Sequence, residues 1–186
     1  MRTLASMLIR QATATDWPGI WALMEPIIRA GETYTFATDS SEEFMQSQWL
    51  PAESLVHDGG ACARVCRSYV LTEETGGTSA PMIVATALLH PNFPGAGSHI
   101  ANASFMVHPN HGGKGYGRLL AHHVLNAAFA DGYKAMVFNA VVESNAAAVR
   151  LWQSLGFEIL ATIPGAFEHP VHGPVGLHLM YKALAA

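Results

Sequence analysis

The stretch SFMVHPNHGGKGYGRLL, residues 104–120, carries an apolar, strand-like run into a turn with four glycines and then into a helical pattern. Glycine admits positive φ and lets a backbone come close to a ligand. The helix that follows aims unpaired N–H groups, and the positive end of its dipole, at whatever lies before it. Together these make an anion site of the kind that holds a pyrophosphate. Lys114 and Arg118 add positive charge. A Walker A loop needs Ser or Thr after its GK, and here Gly115 follows Lys114. A dinucleotide fingerprint needs GxGxxG, whereas Gly113, Gly115 and Gly117 give GxGxG, with no acidic residue about twenty positions on. The plain alternative is a tight turn that only caps a helix.

Working outward, residues 7–11 read as a short strand. Thr15 or Asp16 caps a helix with Pro18 in its first turn. Ile20, Leu23, Met24, Ile27 and Ile28 keep helical spacing in it, and Gly31 ends it. After the loop GETYTFATD, Ser40 or Ser41 starts a second helix that Pro51 stops. Residues 61–72 and 82–89 read as strands joined through GGTSAP, and PNFPGAGSH (91–99) as an irregular loop. Residues 100–107 form the strand before the glycine turn. The long helix then runs from 115 to about 131, with Leu119, Leu120, Val124, Leu125, Ala128 and Phe129 as its apolar stripe. A strand at 134–142, a short helix at 145–155 closed by Gly156, and strands at 158–163 and 175–182 complete the order, with 163–174 as a loop. This order predicts the α+β class: one domain over residues 1–186, with a central, mixed but mostly antiparallel sheet flanked by helices.

Composition narrows the function. The chain is 50% hydrophobic and 13% charged, enough apolar material for a core and too little charge for disorder. Its ten Lys and Arg are spread along a chain of formal net charge −4, so no nucleic-acid surface is expected. An anionic ligand must be held locally. No apolar run approaches the roughly 20 residues of a membrane span, and the N-terminus lacks a signal-peptide pattern. Cys62 and Cys66, four apart in a strand, would sit roughly 13 Å apart, too far to bridge. Two reduced thiols fit a cytoplasmic location.

The pattern V-x-P-x-x-G-G-K-G-Y-G-x-x-L, Val107 to Leu120, resembles the acetyl-CoA signature of the GNAT acetyltransferase superfamily. A second signature follows in order: Asn145, Ala148, Leu151, Trp152 and then Leu155-Gly156-Phe157. PNFPGAGSHIANASF (91–105), VFNAVVESNAAAVRLWQSLGF (137–157) and the GETYTF loop (31–36) further resemble the azetidine-2-carboxylate/proline-analogue acetyltransferases, and GETYTF is also similar to the substrate loop of phosphinothricin-type enzymes.

The resemblance implies a GNAT-type fold and acetyl-CoA as cosubstrate, with no metal. The strand before the turn splays from its neighbour, and the pantetheine arm pairs with the main chain of Phe105, Met106 and Val107 as an added strand. An N–H there polarises the thioester carbonyl. Gly112, Gly113, Lys114, Gly115, Tyr116, Gly117 and Arg118 cradle the pyrophosphate, Asn145 bonds the arm, and Trp152 lies beside it. By the same resemblance Asn102 and Asn139 orient the acceptor, and Glu32, Thr33, Tyr34 and Phe36 belong to its loop. Glu143 and Glu32 are candidate bases, with a water-relayed base as alternative. Two positions depart from the superfamily. Gly112 stands where most members carry Arg or Gln. Trp152 stands where many carry Tyr, and an indole N–H does not titrate, so it cannot protonate the leaving thiolate.

The remaining features are plainer. Ten histidines give no zinc-ligand spacing. His99 and His178 are expected to be hydrogen-bonded structural residues, while Trp17, Trp21, Tyr34 and Phe36 either wall the substrate or pack the core. The expected reaction is direct acetyl transfer from acetyl-CoA to the amine of a small molecule, an amino acid or proline-like analogue. A protein or peptide N-acetyltransferase and a non-catalytic acyl-CoA sensor are the alternatives. Family habit admits a homodimer.

Overall fold

The computed structural model describes residues 7–50, 66–74 and 81–184. Cys62, Pro51, the strand start before 66, most of GGTSAP and the first six residues lie outside them. Among the described residues a seven-stranded sheet runs β1 (Met7–Gln11), β2 (Arg67–Glu73), β3 (Met82–Pro91), β4 (Ile100–Val107), β5 (Ala135–Val142), β7 (Gly173–Ala183), β6 (Glu158–His169) in space. Four α-helices flank it: α1 (Trp17–Ala30), α2 (Glu42–Trp49), α3 (Tyr116–Ala130) and α4 (Ala146–Ser154). None is long and apolar enough to cross a membrane.

Every neighbouring pair is antiparallel except β4 and β5. That exception follows from α3, because a strand–helix–strand crossover returns the chain in the same direction. The parallel ladder is short, pairing only Ile100 with Ala135 and Ala101 with Met136. Beyond those pairs the strands part.

Two apolar layers cover the sheet. On one face α3 and α4 pack through Leu120, Ala121, Val124 and Trp152 against Leu89, Ala103 and Phe138. On the other, Ile20, Leu23, Met24 and Ile28 of α1 and Met45 and Trp49 of α2 cover Val70, Leu88 and Met106. The α1 stripe lies where the spacing puts it, except that Ile27 is only partly buried. The α3 stripe needs correcting. Leu119 and Phe129 are exposed, and Tyr116 and Ala121 are buried instead. Both exposed residues stand about 140° round the helix from Val124, off the face that meets the sheet.

The second correction is at the C-terminal end. Residues 163–174 are mostly strand, because β6 and β7 form one long hairpin. Pro164 and Gly165 read as breakers, but they fall within a register shift between Ile163 and Phe167, on a strand at the edge of the sheet. An edge bulge tolerates proline and glycine without losing a ladder hydrogen bond.

One ion pair ties β1 to the start of α1. Arg10 donates from Nη1 and Nη2 to the two carboxylate oxygens of Asp16, both at 2.7 Å, and the Thr13 N–H donates to Asp16 Oδ2 at 2.7 Å. These bonds, Arg10 first, lower the Asp16 pKa to about 2. A carboxylate depressed in the fold adds stability above its unfolded value, about 3.9, and loses it as pH falls through the folded one. Asp16→Asn is expected to cost about 1–2 kcal/mol at pH 7. In urea unfolding across a pH series, its deficit against the parent protein should shrink between about pH 4 and 2; a deficit independent of pH would contradict this account.

Candidate functional site

The parting of β4 from β5 leaves main-chain groups unclaimed. The His108 N–H donates to Val84 O at 2.9 Å, and Asn92 N–H donates to Ile100 O at 2.8 Å. Even-numbered residues of β4 therefore turn their polar groups toward β3. By strand alternation Ala103, Phe105 and Val107 turn theirs toward the gap. Met106 does not: its main chain faces β3, and its side chain is buried beneath α1. The Phe105 groups are met by Tyr34, from the loop between α1 and α2. Its hydroxyl donates to Phe105 O at 2.5 Å and accepts from Phe105 N–H at 3.1 Å. Burial pushes the ionisation of this hydroxyl upward, so it stays protonated at neutral pH. Phe36 stacks on the Tyr34 ring, with centroids 6.0 Å apart.

At one end of the gap lies the glycine turn. Gly113 and Gly115 take φ of 75° and 84°, and no atom lies within 4 Å of where a Cβ would stand at either. Gly115 precedes α3 and has no side chain, so the first-turn N–H groups of Tyr116, Gly117 and Arg118 receive no side-chain cap. By contrast, Ser41 caps α2 and Asn145 caps α4, each through a side-chain oxygen accepting at 3.2 Å. Lys114 Nζ lies 3.2 Å from His111 Nδ1, and Arg118 Nη2 donates to Ser154 Oγ at 2.7 Å. A Cβ on Gly117 would touch Leu151 and Val107 at 3.5 Å, so here α3 comes close to both β4 and α4. The Tyr116 side chain is buried against the core, with its ring 6.1 Å from that of His111 and 5.8 Å from Lys114 Nζ. Gly112 has an ordinary φ of −59°. Trp152 is buried, with its ring 4.9 Å from Phe105 and 4.7 Å from Phe138.

On the α1 side of the sheet, Asn102 and Asn139 converge. Their Nδ2 atoms donate to one acceptor, Asn92 Oδ1, at 3.0 and 2.7 Å. Asn92 escaped the sequence reading because its segment, PNFPGAG, looks like a bare loop. Its one signal was a polar side chain at the end of an apolar strand. His90, in register with Asn102, was also missed among ten histidines. Its Nδ1 lies 2.8 Å from Pro91 O, and a carbonyl only accepts, so Nδ1 carries the proton and Nε2 keeps a free lone pair. Burial lowers its pKa below the usual histidine value.

Other expected residues fall elsewhere. Glu143 Oε2 accepts from the Gly176 N–H at 2.9 Å, tying the end of β5 to β7. A Cβ at Gly176 would lie 2.6 Å from that oxygen, so this pairing needs glycine. Glu32 and Thr33 line a cleft of about 270 Å³ with Ser144, Asn145, His169 and His172. Trp17 is core: its Nε1 donates to Glu42 Oε1 at 2.9 Å, and its ring stacks on Trp21. His178 is a buried structural histidine paired with Thr162, and His99 is exposed, its Nδ1 3.0 Å from Ala96 O. Cys66 is half-buried, and burial raises its thiol pKa. Among the described residues no three His, Cys, Asp or Glu side chains converge on a point.

These features define an α+β protein with a slot cut into its sheet, an anion turn at one end and a cluster of amides beside it. The model of the family described as "Acetyltransferase (GNAT) family" matches residues 27–157. The solved structure of a GCN5-related N-acetyltransferase from Kribbella flavida has a TM-score of 0.82 to this chain at 38% identity, covering 95% of this chain and 97% of that one. N-acetyltransferase aca1 of Schizosaccharomyces pombe is 46% identical over 69 residues, 37% of this chain and 33% of that protein. L-amino acid N-acyltransferase MnaT of Escherichia coli is 43% identical over 67 residues, 36% of this chain and 38% of that protein. The matched stretch thus spans about a third of the length of these curated relatives. The chain belongs to the GNAT family.

The geometry of His90 makes a prediction independent of any ligand. Nitrogen NMR should find its neutral ring protonated on Nδ1, with a titration midpoint below about 6.5. A histidine depressed in the fold takes up its proton more readily when unfolded, so this group withdraws stability as pH falls below that value. A midpoint at or above about 6.5 would show that the ring is not held as described.

Proposed function

We propose that the protein transfers the acetyl group of acetyl-CoA directly to the amine of a small amino acid or amino-acid analogue. The observation that carries this reading is the β4 edge at Phe105 and Val107, left unpaired by β5 and met at Phe105 by the Tyr34 hydroxyl, which joins the uncapped start of α3 to the Asn102–Asn139 pair. Family membership supports the donor. The name of the Escherichia coli relative, an L-amino acid N-acyltransferase, supports the acceptor class.

On this reading the N–H groups from Gly113 to Arg118 hold the diphosphate, with Lys114 adding charge. The arm lies in the gap along Phe105 and Val107. Asn145 spends its Oδ1 on the α4 cap and keeps its NH₂ to donate to the arm. The Phe105 N–H then faces the thioester carbonyl and stabilises the oxyanion as the amine adds to carbon. The C–N bond forms, the C–S bond breaks, and sulfur leaves as thiolate. The thiolate needs no acid from Trp152, because a thiol pKa of about 8.5 lets it leave unprotonated or take a proton from water. The amine must lose a proton. The candidates to take it are Glu143, whose Oε2 also accepts from the Gly176 N–H, Glu32, the Nε2 of His90 beside Asn102, and a water relay. Tyr34 closes over β4 from the loop side, which favours a small acceptor over an extended peptide.

The first test is CoA release, followed with a thiol reagent over a panel of amino acids and amines. At least one amino acid should turn over. Asn139→Ala should lower kcat/KM for it by roughly 10-fold or more, about 1.4 kcal/mol; parity with the parent protein would remove Asn139 from the acceptor site. The second test is binding. The Tyr34 hydroxyl must leave Phe105 for the arm to pair there, so Tyr34→Phe has nothing to displace. We expect it to bind acetyl-CoA roughly 5-fold more tightly by calorimetry, about 1 kcal/mol. Unchanged affinity would mean the arm does not use the Phe105 groups.

A further inference from the structure

Where the main-chain ladder between β4 and β5 ends, at Ala101 and Met136, a side-chain bridge takes over. Asn92 is fixed at its root, because its own N–H closes the β3–β4 connection onto Ile100 O at 2.8 Å. From there its Oδ1 accepts from Asn102 of β4 and from Asn139 of β5. One oxygen atom thus joins the two strands across the mouth of the gap. The Asn92 Nδ2 is buried and has no hydrogen-bond partner among the described residues. A buried amide left half unsatisfied is costly to the fold and calls for a reason other than stability.

We propose that Asn92 is a positioning residue for acyl transfer: it fixes the Asn102 and Asn139 carboxamides, and through them the acceptor, at the mouth of the β4–β5 gap. The inference rests on the reading that these two asparagines hold the acceptor. A carboxamide presents two N–H donors and one carbonyl oxygen. Each of the pair spends one N–H on Asn92. What remains for the acceptor is one donor and one carbonyl acceptor from each. That set complements a ligand carrying both a carboxylate and an N–H, an α-amino acid, better than a simple alkylamine. Asn139 is exposed and Asn102 half-buried, and Asn92 is the only side-chain hydrogen-bond partner that the described residues give either amide. Released from it, both amides would sample other rotamers, and the amine would lose its line to the thioester.

The test compares the full-length parent protein with Asn92→Leu, Asn92→Asp, Asn139→Ala and the Asn92→Leu/Asn139→Ala double variant. Readouts are kcat/KM for the best amino acid, the Kd of acetyl-CoA by calorimetry, and the thermal midpoint. Asn92→Leu should lower kcat/KM on the order of 10- to 100-fold, while acetyl-CoA affinity stays within about 2-fold. Asn92→Asp keeps an oxygen that accepts both bonds and should recover most of the loss. The double variant should lose less than the product of the two single losses, since part of the Asn92 effect runs through Asn139 and the rest through Asn102. Asn92→Ala replaces the leucine variant if that one does not fold. The proposal is overturned if the leucine or alanine variant matches the parent, if the aspartate variant is equally impaired, or if the losses add. A parent protein that turns over no amino acid overturns the function beneath it and this inference together. A parent that turns over, with an unaffected Asn92 variant, overturns this inference alone.

Discussion

Two parallel residue pairs, Ile100 with Ala135 and Ala101 with Met136, make up the whole backbone ladder between β4 and β5. The rest of the site depends on how early that ladder stops. Parallel pairing is imposed by the α3 crossover, and each strand keeps an antiparallel partner on its other side, β3 for β4 and β7 for β5. With full pairing the Phe105 and Val107 groups would be consumed within the sheet, and α3 would begin over a closed surface. The divergence also explains why Asn102 and Asn139, one strand apart, need a third amide to reach each other.

Much of this arrangement was legible in the chain. The strand at 100–107 and the Gly31 and Gly156 helix stops lie where patterning put them, because local chemistry fixes them: an apolar run ended by a proline, and glycines in the left-handed conformation at helix ends. The glycine turn was legible for the same reason, since Gly113 and Gly115 need positive φ. The main-chain direction along 105–107 was not. Sequence could nominate three consecutive residues, but alternation offers the gap only two, and which two depends on the β3 register. Patterning also misjudged β6, where Pro164 and Gly165 are absorbed by a bulge that only an edge strand permits. Asn92 was invisible because its role lies in what it reaches, over two strands, and nothing near it in the chain announces that.

Charge plays a small part in the site. Two carboxylates serve the scaffold: Glu143 accepts from the Gly176 N–H, and Asp16 pairs with Arg10. The slot itself is lined by neutral groups, namely main-chain amides, three carboxamides, a phenol kept protonated and an imidazole kept neutral by burial. Such groups give direction more than field strength, and they suit a ligand whose charge is concentrated at one end, by the glycine turn.

Gly112 has one further consequence. Its backbone is one that any residue adopts, and a Cβ there would meet only the carbonyl oxygen of Pro109, at 3.7 Å. Nothing in the fold therefore demands glycine at this position, unlike its neighbours at 113 and 115. A long polar side chain could be installed at 112 without moving the turn. The grip at this end of the slot is thus adjustable by one codon, independently of the geometry at the other end.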